Sequence, residues 1–255
     1  MNIFKNSKHL PFFAFFTGSV AGLLRKALYA FALDHKGLLI SNHPLELVLT
    51  AFTLLSLAVI IAAVWRLDGS AAYEDNFAPS ARAMTGHILA ALGILLTVGL
   101  NDAPMSGPLG MVWKLLGPTA SVCLVFAGIC RKQGKAPFFL LHLAPCLFLV
   151  FHIINHYQIW SGNPQLQDDI YTVFATMALM LFAFYTAGFA VGVGRRRMQL
   201  GMGLAALFLT MATIYDTRYL FLYTGLACWA GSDLCSLIPV PKPPEEKNEE
   251  GGEGL

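Results

Sequence analysis

The sequence predicts an all-α membrane protein, a polytopic bundle of about eight transmembrane helices, or seven if the first helix lies on the membrane surface. Three observations lead to this fold class. Of the 255 residues, 56% are hydrophobic and only 13% are charged, whereas soluble domains carry about a quarter charged residues. The mean hydropathy is +0.60. The apolar residues also form blocks of about 20, the length that crosses a hydrocarbon core of about 30 Å.

The apolar blocks also differ from the helices of soluble proteins, which show a polar face with a period of 3.6 residues. Residues 45–65, LELVLTAFTLLSLAVIIAAVW, have no such face. The net charge of +2 is spread over loops and tail, without the clustered basic face that nucleic-acid binding requires. The five cysteines lie in or beside apolar segments and form no CxxC pair, which favours buried structural thiols.

Eight apolar segments can be read along the chain, with loops too short for a soluble domain. In order they are A (11–33), B (45–66), C (84–101), D (110–130), E (137–158), F (169–194), G (198–215) and H (219–238). Residues 1–239 therefore form one transmembrane domain. Residues 240–255 are rich in Pro, Glu and Gly without an apolar face, and this composition predicts a disordered acidic tail.

Segment A differs from the others because Arg25 and Lys26 interrupt its apolar run. Three interpretations fit. It spans the membrane with both cations extended along their aliphatic stems, it lies on the interface as an amphipathic helix, or it is a secretory signal ending at the Ala-Phe-Ala motif of residues 30–32. Two cations just before a cleavage site argue against a signal. The charges of the loops favour a full span.

The loop charges predict the orientation, because Lys and Arg remain on the cytoplasmic side. The B–C, D–E and F–G loops carry the cations, whereas residues 101–110 and 161–169 contain neither Lys nor Arg. We therefore expect the cationic loops and both termini in the cytoplasm, and the chain in the cytoplasmic membrane. A spanning segment A also places Lys5 and Lys8 in the cytoplasm.

Segment E carries the most polar face within the membrane. Helical geometry at 100° per residue places five residues in a stripe of about 80°, namely His142, Pro145, Leu149, His152 and His156. An imidazole that faces hydrocarbon leaves its ring nitrogens unsatisfied, at a cost of kilocalories. We therefore expect His152 and His156 to point into the bundle.

His152 and His156 are four residues apart, a spacing that can hold one metal ion on a helix. His142 lies about 15 Å away by helical rise and cannot complete that site. A catalytic zinc needs three protein ligands, and the nearby carboxylates of Asp168 and Asp169 are also suited to capping segment F. Further candidate ligands are Asp102, Asp216 and His87. We expect no bound metal and no cofactor, and we assign no catalytic residue.

The function that fits these features is non-enzymatic binding, transport or sensing of a small molecule or ion through an outward-facing polar cavity. The residues expected to line this cavity are Arg25, His152, His156, Trp160, Asp168 and Asp169. The expected partners are the lipid bilayer and the small-molecule or ion ligand, with no nucleic acid; the sequence identifies no protein partner. Two alternatives stay open: a metal-dependent intramembrane enzyme that uses His152 and His156, and a membrane scaffold without a small-molecule site.

Two further expectations concern helix packing. Asp233 lies near the inner end of segment H and should meet one of the cytoplasmic arginines, because an intramembrane charge requires a partner. The pairs Gly18-x3-Gly22 and Gly188-x3-Gly192 have the spacing of small-residue faces where helices approach closely.

The run NHYQIWSGNPQLQDDIYTVFATMALMLFAFYTAGFAVGVGRRRM, residues 155–198, resembles a group of uncharacterised multi-pass membrane proteins from anaerobic Gram-positive bacteria. The N-terminal stretch LLRKALYAFALDHKGLLISNHP is similar to the same group, and the likeness extends along most of the chain. This resemblance implies a cytoplasmic-membrane protein of several helices. It implies no activity, because none is established for the group.

Overall fold

A computed structural model describes residues 9–32, 40, 43–65, 67, 69–101, 107–161, 170–216 and 218–238, of which residues 158–161 and 216 are described by their backbone only. Within these ranges the fold is all-helical. The helices are α1 (Leu10–Phe31), α2 (Pro44–Val64), α3 (Tyr73–Asn76), α4 (Ala81–Leu100), α5 (Pro108–Gln133), α6 (Leu140–Ser161), α7 (Ile170–Ala190), α8 (Arg196–Thr213) and α9 (Leu220–Cys235). A 3₁₀ turn, Ile214–Asp216, follows α8, and Phe77 and Leu237 form an isolated β-bridge.

The predicted all-helical class is confirmed, because each of the eight apolar segments coincides with a helix whose ends differ by four residues or fewer. The number of membrane spans stays a prediction. The short helix α3, in the B–C loop, is an addition that the sequence did not predict. Five helices, α2, α4, α5, α6 and α7, are long and apolar enough to cross a membrane. The tail, residues 240–255, lies outside the described residues.

Local sequence sets several helix ends. Pro108 occupies the first position of α5, where its missing N–H and fixed φ suit a helix start. The Ser80 hydroxyl caps α4 by accepting from the Ala83 N–H at 3.2 Å, which satisfies a donor that has no partner within the helix. Gly134 ends α5 with φ +70°, a left-handed conformation that glycine adopts without a steric penalty.

Six helices form a closed ring in the order α4, α5, α6, α7, α8 and α9, with α9 returning to α4. The largest buried side chains lie in this ring, among them Trp113, Trp229, Tyr223 and Phe182. Helix α1 packs on the outside of α8, and α2 packs chiefly against α1 and α8. Because α2 does not pack closely along α7, a space remains between these two helices.

Glycines show how α9 lies beside α4. A Cβ on Gly86 would stand 2.7 Å from the Cys228 carbonyl oxygen, and one on Gly93 would overlap the Phe221 carbonyl. The contacts run in opposite directions along the two helices, so α4 and α9 are antiparallel. Backbones approach this closely only where a side chain is absent.

Helix α1 approaches α8 closely in the same way, through glycines. A Cβ on Gly18 would stand 2.5 Å from the Phe208 carbonyl oxygen, and one on Gly22 would stand 2.8 Å from that of Met211. Both contacts advance along the chain together, so α1 and α8 are parallel. The predicted packing face at Gly18 and Gly22 is confirmed.

The predicted packing face at Gly188 and Gly192 is wrong. Helix α7 ends at Ala190, and Gly192 lies in the following turn with φ +73°. A Cβ on Gly188 would meet only its own turn, at 3.6 Å from the Val193 carbonyl oxygen, among the residues that the structure describes. These glycines therefore make a turn and not a helix contact.

Candidate functional site: a lateral cavity and two buried polar clusters

The space between α2, α7 and α8 is a cavity of about 1080 Å³, which we call the lateral cavity. Its walls are apolar and include Leu54, Leu57, Ile61, Phe174, Met177 and Met202. It extends along α2 from Thr50 to Trp65, a distance of about 22 Å by helical rise. Leu54, Ile61 and Phe174 are exposed, so the cavity opens onto the apolar outer surface of the bundle.

One end of the lateral cavity is lined by Arg195, Arg196 and Arg197, which we call the arginine mouth. Arg195 is exposed and Arg197 is half-buried. The guanidinium carbon of Arg197 lies 4.0 Å from the ring centroid of Trp65, which also lines the mouth. Arg196 is 4% exposed and donates to the Asn76 side-chain oxygen at 3.0 Å.

The opposite end of the lateral cavity carries a pair of hydroxyls. Thr53 of α2 and Tyr171 of α7 lie 2.9 Å apart and are hydrogen-bonded. The guanidinium carbon of Arg25 lies 5.3 Å from the Tyr171 ring centroid, and Arg25 also donates to the Tyr29 hydroxyl at 3.4 Å. Arg25 is only 3% exposed. This predicted site residue therefore stands behind the wall of the lateral cavity.

Four side chains in the ring, Trp113, His152, His156 and Tyr219, form what we call the His152 cluster. His152 is 0% and His156 2% exposed, so the predicted inward orientation is confirmed. The imidazole ring centroids lie 4.3 Å apart. The Trp113 Nε1–H donates to Nδ1 of His152 at 3.3 Å, and the Tyr219 hydroxyl lies 3.4 Å from Nδ1 of His156.

The Trp113 contact fixes the proton of His152. An indole N–H can only donate, so Nδ1 of His152 accepts and the ring proton is on Nε2. This Nε2–H has no acceptor among the residues that the structure describes. A buried donor without a partner costs about 1–3 kcal/mol. The cluster therefore contains one buried donor without an acceptor among the described residues.

The other predicted lining residues cannot be placed beside these histidines. Asp168 and Asp169 lie outside the described residues, as does the side chain of Trp160. His152 and His156 are not among the described residues that line the lateral cavity. The outward-facing polar cavity therefore stays a prediction.

A metal site at His152 and His156 would need a third protein ligand. Within the described part of the chain, no three His, Cys, Asp or Glu side chains lie together as a metal site would require. Three of the sequence's candidate third ligands, Asp102, Asp168 and Asp169, belong to residues that are not described. The expected absence of metal also stays a prediction.

A second buried group, at the other end of the ring, contains Asp233, Arg131, His87 and Trp229, and we call it the Asp233 cluster. Arg131 Nε donates to one Asp233 carboxylate oxygen at 3.3 Å. The Trp229 Nε1–H donates to the other oxygen at 2.9 Å, and Nε2 of His87 lies 3.7 Å from it. The expected pairing of Asp233 with one of the arginines at the segment ends is confirmed, and this arginine lies in the last turn of α5.

The Asp233 cluster also fastens the loop before α4 and the end of α9. Arg131 donates to the Ala78 carbonyl at 2.8 Å and to the Ser236 hydroxyl at 2.7 Å. Its guanidinium carbon lies 4.4 Å from the Phe77 ring centroid. Burial raises the pKa of Tyr73, in this loop, to about 12, although the positive charge of Arg131 opposes the rise. Buried side chains therefore close this end of the ring.

Comparison of the chain with protein-family models, with curated proteins and with solved structures finds no match.

Proposed function

We propose that this chain is a non-enzymatic membrane protein that takes up an amphiphilic small molecule from the bilayer and binds it in the lateral cavity. The cavity itself carries this proposal. Binding sites for small molecules are typically about 300–1,000 Å³, mostly apolar, with a few placed polar groups. The lateral cavity lies near the upper limit of this size range and has this composition, with cations at one end and the Thr53 and Tyr171 hydroxyls at the other. Transport or sensing would both begin with this step.

The proposal includes eight spans in the cytoplasmic membrane, with both termini in the cytoplasm. Helix α1 is parallel to α8 and α9 is antiparallel to α4, as eight alternating spans require. The positive-inside rule then puts the arginine mouth and the Asp233 cluster on the cytoplasmic side. Membership in the bacterial group that residues 155–198 resemble is likewise a proposal, and it assigns no ligand.

Labelling with a membrane-impermeant maleimide tests the orientation. In a variant without the five native cysteines, Asn163→Cys should be labelled from outside the cell, whereas Arg195→Cys should be labelled only after the membrane is opened. Labelling of both positions from the same side would contradict the topology.

Filling the lateral cavity tests the binding proposal. A Cβ on Gly201 would contact only Val64, at 3.6 Å, among the described residues, and one on Gly99 would contact none of them within 4 Å. Gly201→Leu should therefore enter the cavity without unfolding the ring, and Gly99→Leu is the matched control on the outer surface. Native mass spectrometry of the purified proteins should show bound amphiphile lost from Gly201→Leu and kept in Gly99→Leu. Equal retention in both variants would refute the proposal.

A second candidate function, binding of a small molecule or ion in an outward-facing polar cavity, is favoured by the buried Nε2–H of His152. That donor suits a ligand with a hydrogen-bond acceptor. The metal-enzyme alternative is tested by elemental analysis of the parent and of His152→Ala/His156→Ala. Near-stoichiometric zinc or iron in the parent, lost in the variant, would favour the metal-enzyme hypothesis over both binding proposals.

A further inference from the structure

Building on the proposed binding function, we infer that the occupant of the lateral cavity is an anionic glycerophospholipid of the cytoplasmic leaflet. Its phosphate lies at the arginine mouth, and its acyl chains lie along α2 between the apolar walls. The inference rests on three properties of the cavity. These are the charge of its mouth, the buried Nε–H of Arg196 that has no acceptor among the described residues, and the length of the cavity.

The described residues that line the mouth carry only positive charge. Three consecutive arginines meet there, and none of the described residues that line the lateral cavity is Asp or Glu. The planar guanidinium presents donors in a fork that matches phosphate oxygens. A zwitterionic headgroup would bring its own ammonium into this positive field, whereas an anionic headgroup brings only negative charge. The mouth therefore favours an anionic lipid.

Arg196 gives the mouth a fixed donor. It is 4% exposed and lines the cavity, and its terminal nitrogens donate to Asn76 and to the Ile238 carbonyl. Its Nε–H, in contrast, is buried and has no acceptor among the described residues. Trp65 holds the guanidinium of the neighbouring Arg197 by a cation–π contact. Two of the three cations are thus held in place by protein contacts, which lowers the entropic cost of binding a headgroup.

The length of the cavity suits an acyl chain. One leaflet of the hydrocarbon core is about 15 Å deep, half of the whole, and the lateral cavity extends about 22 Å along α2. Free phosphate has the same chemistry at the mouth but cannot fill these apolar walls. The structure therefore favours a lipid over a soluble anion.

The test compares two lipids on the full-length protein. Parent protein is reconstituted with equimolar phosphatidylglycerol and phosphatidylcholine, extracted in mild detergent, and analysed by native mass spectrometry. We expect phosphatidylglycerol to be retained preferentially. Removal of two cations in Arg195→Gln/Arg197→Gln should reduce this preference by roughly fivefold for each cation. Lys132→Gln/Lys135→Gln removes two cations from another loop at the same end, and it should keep the parent preference.

The outcomes separate this inference from the proposed function. Equal retention of both lipids by the parent, or an unchanged preference in Arg195→Gln/Arg197→Gln, would overturn the anionic-lipid inference. Displacement of the lipid by inorganic phosphate alone would overturn it as well, since it would make the mouth a soluble-anion site. In each of these cases, loss of lipid from Gly201→Leu would leave the proposed function standing.

Discussion

The Asp233 cluster and the His152 cluster lie in the same ring of helices, and helix α6 contributes a histidine near each. His142 packs beside the first, with its ring centroid 5.9 Å from that of His87 and 6.2 Å from that of Trp229. His152 and His156 belong to the second. Both groups are almost completely buried. They differ in charge: the first contains a carboxylate paired with a guanidinium, and the second contains imidazoles among aromatic rings.

This difference bears on the structural role of one cluster and the proposed binding role of the other. Every oxygen of the Asp233 carboxylate has a donor, and the Arg131 guanidinium ties a loop and the end of α9 to the ring. The His152 cluster joins α5, α6 and α9 mainly by ring contacts, and it retains an unused donor on His152. In the Asp233 cluster Nε2 of His87 has no hydrogen-bond partner among the described residues, but the carboxylate and the guanidinium are paired. Because a hydrogen-bonded ion pair rigidifies the elements that it joins, we assign the Asp233 cluster to closure of the ring, and a role in recognition stays a proposal for the His152 cluster.

Removal of the carboxylate should have the largest effect. Asp233→Ala leaves the Arg131 guanidinium buried without its counter-ion, and breaking a buried pair in this way costs about 3–5 kcal/mol. Thermal unfolding in detergent, monitored by size-exclusion chromatography, should show a large loss of stability relative to the parent protein. The matched control is Asp75→Ala, because Asp75 is exposed in α3. Similar stability of the two variants would show that the ion pair does not hold this end closed.

Truncation of His152 should have an intermediate effect. His152→Ala leaves the buried Trp113 N–H without its acceptor and opens a void, at a combined cost of about 2–3 kcal/mol. His152→Phe retains a ring and should cost about 1–2 kcal/mol. Tyr157→Ala, on the same helix but 63% exposed, should cost about 0.5 kcal/mol or less. A loss for His152→Ala as large as that for Asp233→Ala would remove the distinction between the two clusters.

The helices and the inward direction of the histidines could be predicted because both follow from local pattern. Apolar length gives the segments, and the 100° period places His152 and His156 on one face. The pairing of Asp233 was predictable for a related reason, since a charge in this position requires a partner. Each of these predictions depends on the sequence of a single segment.

The lateral cavity and the partners of His152 could not be predicted, because they depend on which helices become neighbours. Trp113 reaches His152 across 39 positions of sequence, and the cavity exists because α2 packs beside α1 and α8 but leaves α7 uncovered. The three arginines of the mouth were visible in sequence only as a signal of orientation. The spacing of Gly188 and Gly192 gave a wrong prediction because glycine is common in turns as well as at close helix contacts.

The substitution with the smallest expected effect at neutral pH tests whether the closed end of the ring is dry. Burial raises the pKa of Tyr73 from about 10 to about 12, so the folded state favours the neutral phenol. Its contribution to stability is fully present below about pH 10 and is lost as the pH rises from about 10 to 12. Tyr73→Phe cannot ionise, so it should match the parent within about 0.5 kcal/mol at neutral pH and become relatively more stable above pH 10. The difference in phenolate absorbance between parent and Tyr73→Phe should have its midpoint near pH 12 when folded and near pH 10 in denaturant. A folded midpoint near 10 would mean that water reaches the loop over the Asp233 cluster, and the contrast with the His152 cluster would then lose its physical basis.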